Sequence, residues 1–160
     1  MKGDPRVLER LGELLTDELT SADLYRYFAL RLHKQGYLAL HARLAHEVQD
    51  ELHHADLIIA RMLLLGGEPN VLARRSKETP SEPKAMLEAS LDYELEVRAR
   101  LNDAIATCDA AGDAGSRLIL QELLKETEED HIDWLETQLH LIEELGLEAY
   151  LAEQLGAPAG

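Results

Sequence analysis

The stretch LAHEVQDELHHADLI, residues 44–58, decides how the whole chain is read. Leu44 and Ile58 belong to an apolar stripe of helical period, and Glu51 and His54 fall on that same stripe. Residues three apart on a helix are neighbours about 5–6 Å apart, so Glu51 and His54 can converge on one cation. The spacing Glu-x-x-His occurs once more, as Glu128-Glu-Asp-His131 between Leu124 and Leu135. Either pair alone reads as a solvated surface pair in a chain this rich in glutamate. Their placement gives them weight. Glu18 lies 33 residues before Glu51 and their midpoint falls at the Gln35 and Gly36 turn, to within a residue; Glu94 lies 34 before Glu128 and their midpoint falls at the Ala111 and Gly112 turn. Residues equidistant from an antiparallel turn sit level with each other, so each of two hairpins brings one glutamate to the height of its Glu-x-x-His pair.

The helical period extends outward from this stretch in both directions. Leu8, Leu11, Leu15, Ala22, Tyr25, Ala29 and Leu32 predict a first helix over about 4–35, and Leu40, Leu44, Ile58, Met62 and Leu65 a second over about 38–66. Gly36 ends the first; Gly66, Gly67 and Pro69 end the second. Leu87, Leu91, Leu101 and Ile105 predict a third helix over about 83–111, opened by Pro83, and Leu120, Leu124, Leu135, Leu139 and Ile142 a fourth over about 115–145. A short tail helix over 147–155 follows, and residues 156–160 should fray. The joint between the first two helices is short and makes them antiparallel, whereas the segment 67–82 is long for a bundle. At 1.5 Å per residue the second helix is about 40 Å long, and sixteen extended residues reach about 53 Å. The linker can therefore run the length of the bundle. The expectation is one all-α domain over 1–160: a four-helix bundle with one long crossover between the second and third helices and a short fifth helix.

Composition agrees and narrows the partners. A chain 46% hydrophobic but only 4% aromatic, rich in Leu, Ala and Glu, favours helices over strands. A net charge of -15 repels a phosphate backbone, which argues against nucleic acid as a partner. An acidic surface serves solubility and also attracts cations, and composition alone does not separate the two. Cys108 is the sole cysteine, so no intrachain disulfide is expected and a buried structural thiol is. With no apolar run of membrane-spanning length and no apolar leader, the expectation is a cytoplasmic protein without a membrane partner.

Glu18 continues the stripe of Leu8, Leu11 and Leu15, and Glu94 sits between Leu91 and Leu101, so Glu18, Glu51, His54, Glu94, Glu128 and His131 are all expected to face inward. Four carboxylates in one core require protons, partner charges or metal ions. Two divalent cations would balance them, with both imidazoles neutral. One Glu from each of two helices plus Glu-x-x-His from each of the others is the ligand set of carboxylate di-iron and di-manganese bundles, and oxygen-rich ligation with two imidazoles suits iron or manganese. By position Glu18 and His54 would serve one ion, Glu94 and His131 the other, with Glu51 and Glu128 bridging.

The opening Met-Lys-Gly-Asp, the runs His46-Glu47, Asp50-Glu51 and His54-Ala55-Asp56, the run His131-Ile132-Asp133-Trp134-Leu135-Glu136, and the tail Gly146-Leu147 with Tyr150-Leu151 resemble bacterioferritin. The resemblance covers nearly the whole chain. It implies a ferritin-like fold, a hollow shell of twenty-four subunits, and iron storage by a ferroxidase that oxidises Fe(II) with dioxygen or peroxide at the six residues named above. It also implies an auxiliary iron site at His46 and Asp50, electron delivery by Tyr25, and a ferredoxin as partner for iron release. One position departs from the family pattern. The family's haem is held between two subunits by a methionine from each, and Leu52 stands at that position. Leucine has no donor atom, and His53 next door is rotated about 100° around the helix, so haem b is not expected in a homo-oligomer. The chain is then either a haem-free ferritin or one subunit type of a mixed shell whose other type carries the methionine. Two further readings compete: a soluble di-iron oxidoreductase or peroxidase, for which no rubredoxin-like cysteine motif is present, and a non-catalytic or DNA-protecting mini-ferritin, against which the acidic charge and the complete ligand set both stand.

Overall fold

A computed structural model describes residues 1–156; of the tail expected to fray, residues 157–160 lie outside the described residues. The first helix, α1, spans Pro5–Gln35. Asp4 caps it by accepting a hydrogen bond from the Arg6 amide at 2.8 Å, and Pro5 occupies the first turn, where its missing N–H costs nothing. Gly36 ends it at φ 90°, a left-handed conformation that only glycine adopts without steric penalty. The chain reverses there into α2, Leu38–Leu64, antiparallel to α1. The helix α3 spans Pro83–Ala111 and ends on Gly112 at φ 69°.

Between α2 and α3 the crossover travels along α1 from one end to the other. Gly3 N donates to Leu65 O at 2.8 Å where the crossover begins, and Gln35 Nε2 donates to Ser81 O at 2.8 Å where it ends. Midway, the Arg75 amide donates to Thr20 Oγ1 at 2.9 Å and its guanidinium reaches Asp17 at 2.8 Å. The third helix thus starts at the same end as the second, as the linker length allowed.

The last long helix is one continuous rod with a widened turn inside it: α4, Ala114–Glu126, then a π turn, Thr127–Ile132, then α5, Asp133–Leu145. The regular apolar period over 115–145 did not reveal this interruption. The short α6, Leu147–Ala152, folds back onto the bundle end, where buried Tyr150 donates to Gln138 Oε1 at 2.8 Å. Among the described residues there is no strand, and no helix is long and apolar enough to cross a membrane.

The apolar core comes in two halves. One gathers Val7, Leu11, Leu15, Ile58, Met62, Leu101 and Leu120, and also holds the buried thiol of Cys108. The other gathers Phe28, Leu32, Leu40, Leu44, Met86, Leu135 and Tyr150. Between them lies a layer of buried carboxylates and imidazoles.

Candidate metal centre

Four segments supply this layer: Glu18 from α1, Glu47, Glu51 and His54 from α2, Glu94 from α3, and His131 from the π turn. Each is at most 2% exposed. Buried carboxylates in such number are tolerated only with compensating charge, and the geometry shows how it is arranged. His54 Nδ1 lies 3.1 Å from Glu18 Oε2 and 3.4 Å from Glu51 Oε2. His131 Nδ1 lies 3.3 Å from Glu51 Oε1 and 3.6 Å from Glu94 Oε1. The two imidazoles stack with centroids 6.0 Å apart, and the two oxygens of Glu51 lie one toward each ring. Glu18, Glu51 and His54 form one group whose ligand atoms lie within 4.8 Å of one another, and Glu51, Glu94 and His131 form a second. Glu18 Oε1, Glu51 Oε1 and both ring nitrogens of His131 are buried without a hydrogen-bond partner. Unpaired donor atoms converging in a dry core fit a pair of cations.

The titration behaviour follows from the same crowding. Burial raises the pKa of Glu18 well above the usual carboxylate range, and the charge of Glu51 adds to the rise. Burial works against the charged form of His54, but hydrogen bonds to Glu18 and Glu51 and their negative charge outweigh it and raise its pKa to about 11. The pKa of His131 is raised too: burial again opposes, and Glu47, Glu51 and Glu94 prevail. With both pKa values raised, the two rings favour their protonated forms at neutral pH, and a cation taken up here would have to displace those protons.

The expectation that all six candidates face inward fails at Glu128. Its side chain is 40% exposed and pairs with Arg98 on α3 at the rim of the site. The cause is the π turn. In an α-helix, residues three apart stand about 60° from each other around the axis, but in the wider coil each residue turns only roughly 80°, which sets Glu128 roughly 120° away from His131. Glu126, five residues before His131, returns to its side of the helix instead, and its Oε2 accepts a hydrogen bond from His54 Nε2 at 2.9 Å. Sequence reasoning missed Glu126 because nothing in the apolar period marks the π turn. It also missed Glu47, which was legible: it lies one turn before Glu51, on the stripe that carries Leu44.

Around this centre stand the lesser candidates. Tyr25 is buried, donates to Glu94 Oε1 at 2.6 Å, and meets the His131 ring edge-on. Burial pushes its hydroxyl pKa up, and Glu94 pushes it further. His46 Nδ1 is 3.1 Å from Asp50 Oδ2 on the same helix, with the imidazole largely exposed. Asp50 also joins Glu47, Asp130 and His131 in a third group of converging donor atoms, beside which Arg43 pairs with both Glu47 and Asp130. Leu52 lies on the outer side of α2, 42% exposed.

The profile of the ferritin-like domain matches residues 8–145. The chain is 42% identical to a bacterial ferritin of Synechocystis sp., over 97% of this chain and 99% of that protein. It is 43% identical to a bacterial ferritin of Pseudomonas aeruginosa over 97% and 100%, and 39% identical to a bacterioferritin of Mycobacterium leprae over 99% of each.

Proposed function

Since the chain belongs to the ferritin-like family, we propose that it stores iron, oxidising Fe(II) to Fe(III) at the buried carboxylate and histidine layer before the ferric product enters a shell of twenty-four subunits. The observation that carries this reading is Glu51, whose two oxygens are shared between two groups of converging donor atoms, each with its own imidazole and its own terminal glutamate. Glu18 and His54 would hold one ferrous ion, Glu94 and His131 the other. Two adjacent ferrous ions supply the two electrons that reduce dioxygen to hydrogen peroxide, or hydrogen peroxide to water, with two protons taken up in either case. Glu128 would complete the set as a second bridge by leaving Arg98 and turning inward. Tyr25, hydrogen-bonded to a ligand and shielded from water, is suited to supply a further electron, and His46 with Asp50 to take iron onward. The same family reading favours a cytoplasmic protein and a ferredoxin as reductant for iron release.

The test is stopped-flow oxidation of Fe(II) by the purified chain, with dioxygen and with peroxide, alongside its assembled mass. Fast oxidation, abolished in Glu18→Ala and Glu94→Ala, by a large shell that retains many irons per subunit is the expected result. A dimer that retains two irons would point instead to a di-iron oxidoreductase.

Haem does not fit the residues at the position the family uses for it. Leu52 offers no donor atom, and the imidazole of His53 points elsewhere around the helix. A shell of this chain alone, mixed with haem, should give no six-coordinate spectrum of two thioether ligands, and Leu52→Met should produce one. A stoichiometric spectrum of that kind in the unaltered shell would sink the haem-free reading. In a mixed shell the methionine would come from the other subunit type.

A further inference from the structure

Each imidazole of the centre has a carboxylate oxygen close to both of its nitrogens. His54 turns Nδ1 to Glu18 and Glu51 and donates from Nε2 to Glu126 Oε2 at 2.9 Å. His131 turns Nδ1 to Glu51 and Glu94 and has Glu47 Oε2 2.8 Å from Nε2. An ionised carboxylate only accepts, so every nitrogen that faces one carries a hydrogen when no cation is bound; a cation among Glu18, Glu51 and Glu94 would displace the hydrogen on Nδ1 and take its lone pair, while the carboxylate behind the ring keeps the hydrogen on Nε2. Two rings from different helices thus share one orientation, with a carboxylate behind and the cation pair in front. We propose that Glu126 and Glu47 are positioning residues, Glu126 for His54 and Glu47 for His131, which fix both rings with Nδ1 toward the cations. The inference rests on the two-cation reading above and deepens it.

The π turn makes this arrangement available. A regular α-helix through residues 127–132 would take Glu126 away from the side of the helix that His131 occupies. The two supports differ in strength. Glu126 is aligned for a full hydrogen bond, but its side chain is 42% exposed, so water can stand in for it. Glu47 is 2% exposed, with Arg43 on its other oxygen. Neither of its oxygens makes an aligned hydrogen bond: one stands against Arg43 and the other against His131 as close charge contacts. A carboxylate buried between a guanidinium and an imidazole, where water does not stand in for it, is the harder of the two to replace. Carboxylates behind metal-bound histidines are worth about 10 to 100-fold in affinity, which assigns the lower value to Glu126 and the higher to Glu47.

The experiment is a Co(II) titration of the assembled protein, followed by visible ligand-field absorption, which separates the two binding steps and needs no turnover. Glu126→Ala should weaken one step about tenfold and leave the other alone; Glu47→Ala should weaken the other step about 100-fold. Glu126→Gln keeps an acceptor oxygen and should recover most of the loss. A support that only held the fold together would weaken both steps alike and shift the thermal midpoint measured without added cation, which Glu126→Ala should leave in place. Two ions bound by the parent and by Glu126→Ala with affinities within about twofold would overturn the positioning role alone, as would a Gln variant no better than Ala. A parent chain that takes up no Co(II) would overturn the two-cation reading, and this inference with it.

Discussion

A chain carrying Glu51→Ala is expected to lose paired cation binding and to oxidise Fe(II) more than about 100-fold more slowly than its parent, a larger loss than removing an outer support causes. Glu51 is the one side chain common to both donor groups, with Oε2 3.4 Å from His54 Nδ1 and Oε1 3.3 Å from His131 Nδ1. Its removal takes an oxygen from each ion at once and takes away the negative charge that lets two divalent cations sit side by side. Glu128→Ala is the informative comparison. If Glu128 moves inward as a second bridge, its loss should slow oxidation while leaving the Co(II) count at two, because its starting place beside Arg98 is outside both groups. Calorimetric titration and stopped-flow absorbance read the two quantities separately. A Glu51→Ala protein that still binds two Co(II) ions and oxidises iron at the parent's rate would refute the shared-ligand assignment.

Asp17→Ala should be the most destabilising substitution away from the centre. Asp17 is wholly buried and accepts from Arg75 Nε at 2.8 Å, Arg100 Nε at 2.6 Å and Tyr93 Oη at 3.1 Å. Breaking a buried charge network by deleting one partner costs about 3–5 kcal/mol. Arg75 and Arg100 are 35% and 29% exposed and can turn partly to water, which favours the lower end of that range. At about 2–4 °C per kcal/mol for a chain of this size, the unfolding midpoint should fall by roughly 6–12 °C. Because Arg75 belongs to the crossover, the same substitution should expose residues 70–80 to limited proteolysis before the helices are cut. A midpoint within about 2 °C of the parent would mean that the crossover is held by its other contacts.

The fold was legible because its signals are redundant. The stripe through Leu8, Leu11 and Leu15, the terminating glycines at 36 and 112, and a linker that is too long for a tight turn each constrain the same topology. Five of the expected groups lie in the buried layer for a related reason: Glu18, Glu51, His54 and Glu94 sit on stripes of regular α-helix, and His131, within the π turn, keeps the inward place of its stripe. Glu128 broke the pattern because i, i+3 reasoning assumes a constant turn angle, and hydrophobic spacing does not register one turn's widening. Arg98, which holds Glu128 at the rim, could not be matched to it from sequence, since the pair spans two helices and depends on that same turn. Glu47 was within reach of the period argument but carries no histidine three residues on, and so fell outside the pattern sought.

The division of the apolar core has a consequence for the loaded subunit. Its two halves share the apolar contact of Leu24 and otherwise face each other across a seam of charge, so each end of the bundle can act largely as its own cooperative unit while Glu18, Glu47, Glu51 and Glu94 crowd the seam. Cations bound there would join side chains from α1, α2, α3 and the π turn across the seam and would stabilise the folded state in proportion to how tightly they bind. Under the proposed function the cargo would then also be a rivet: a subunit holding iron would unfold as one body.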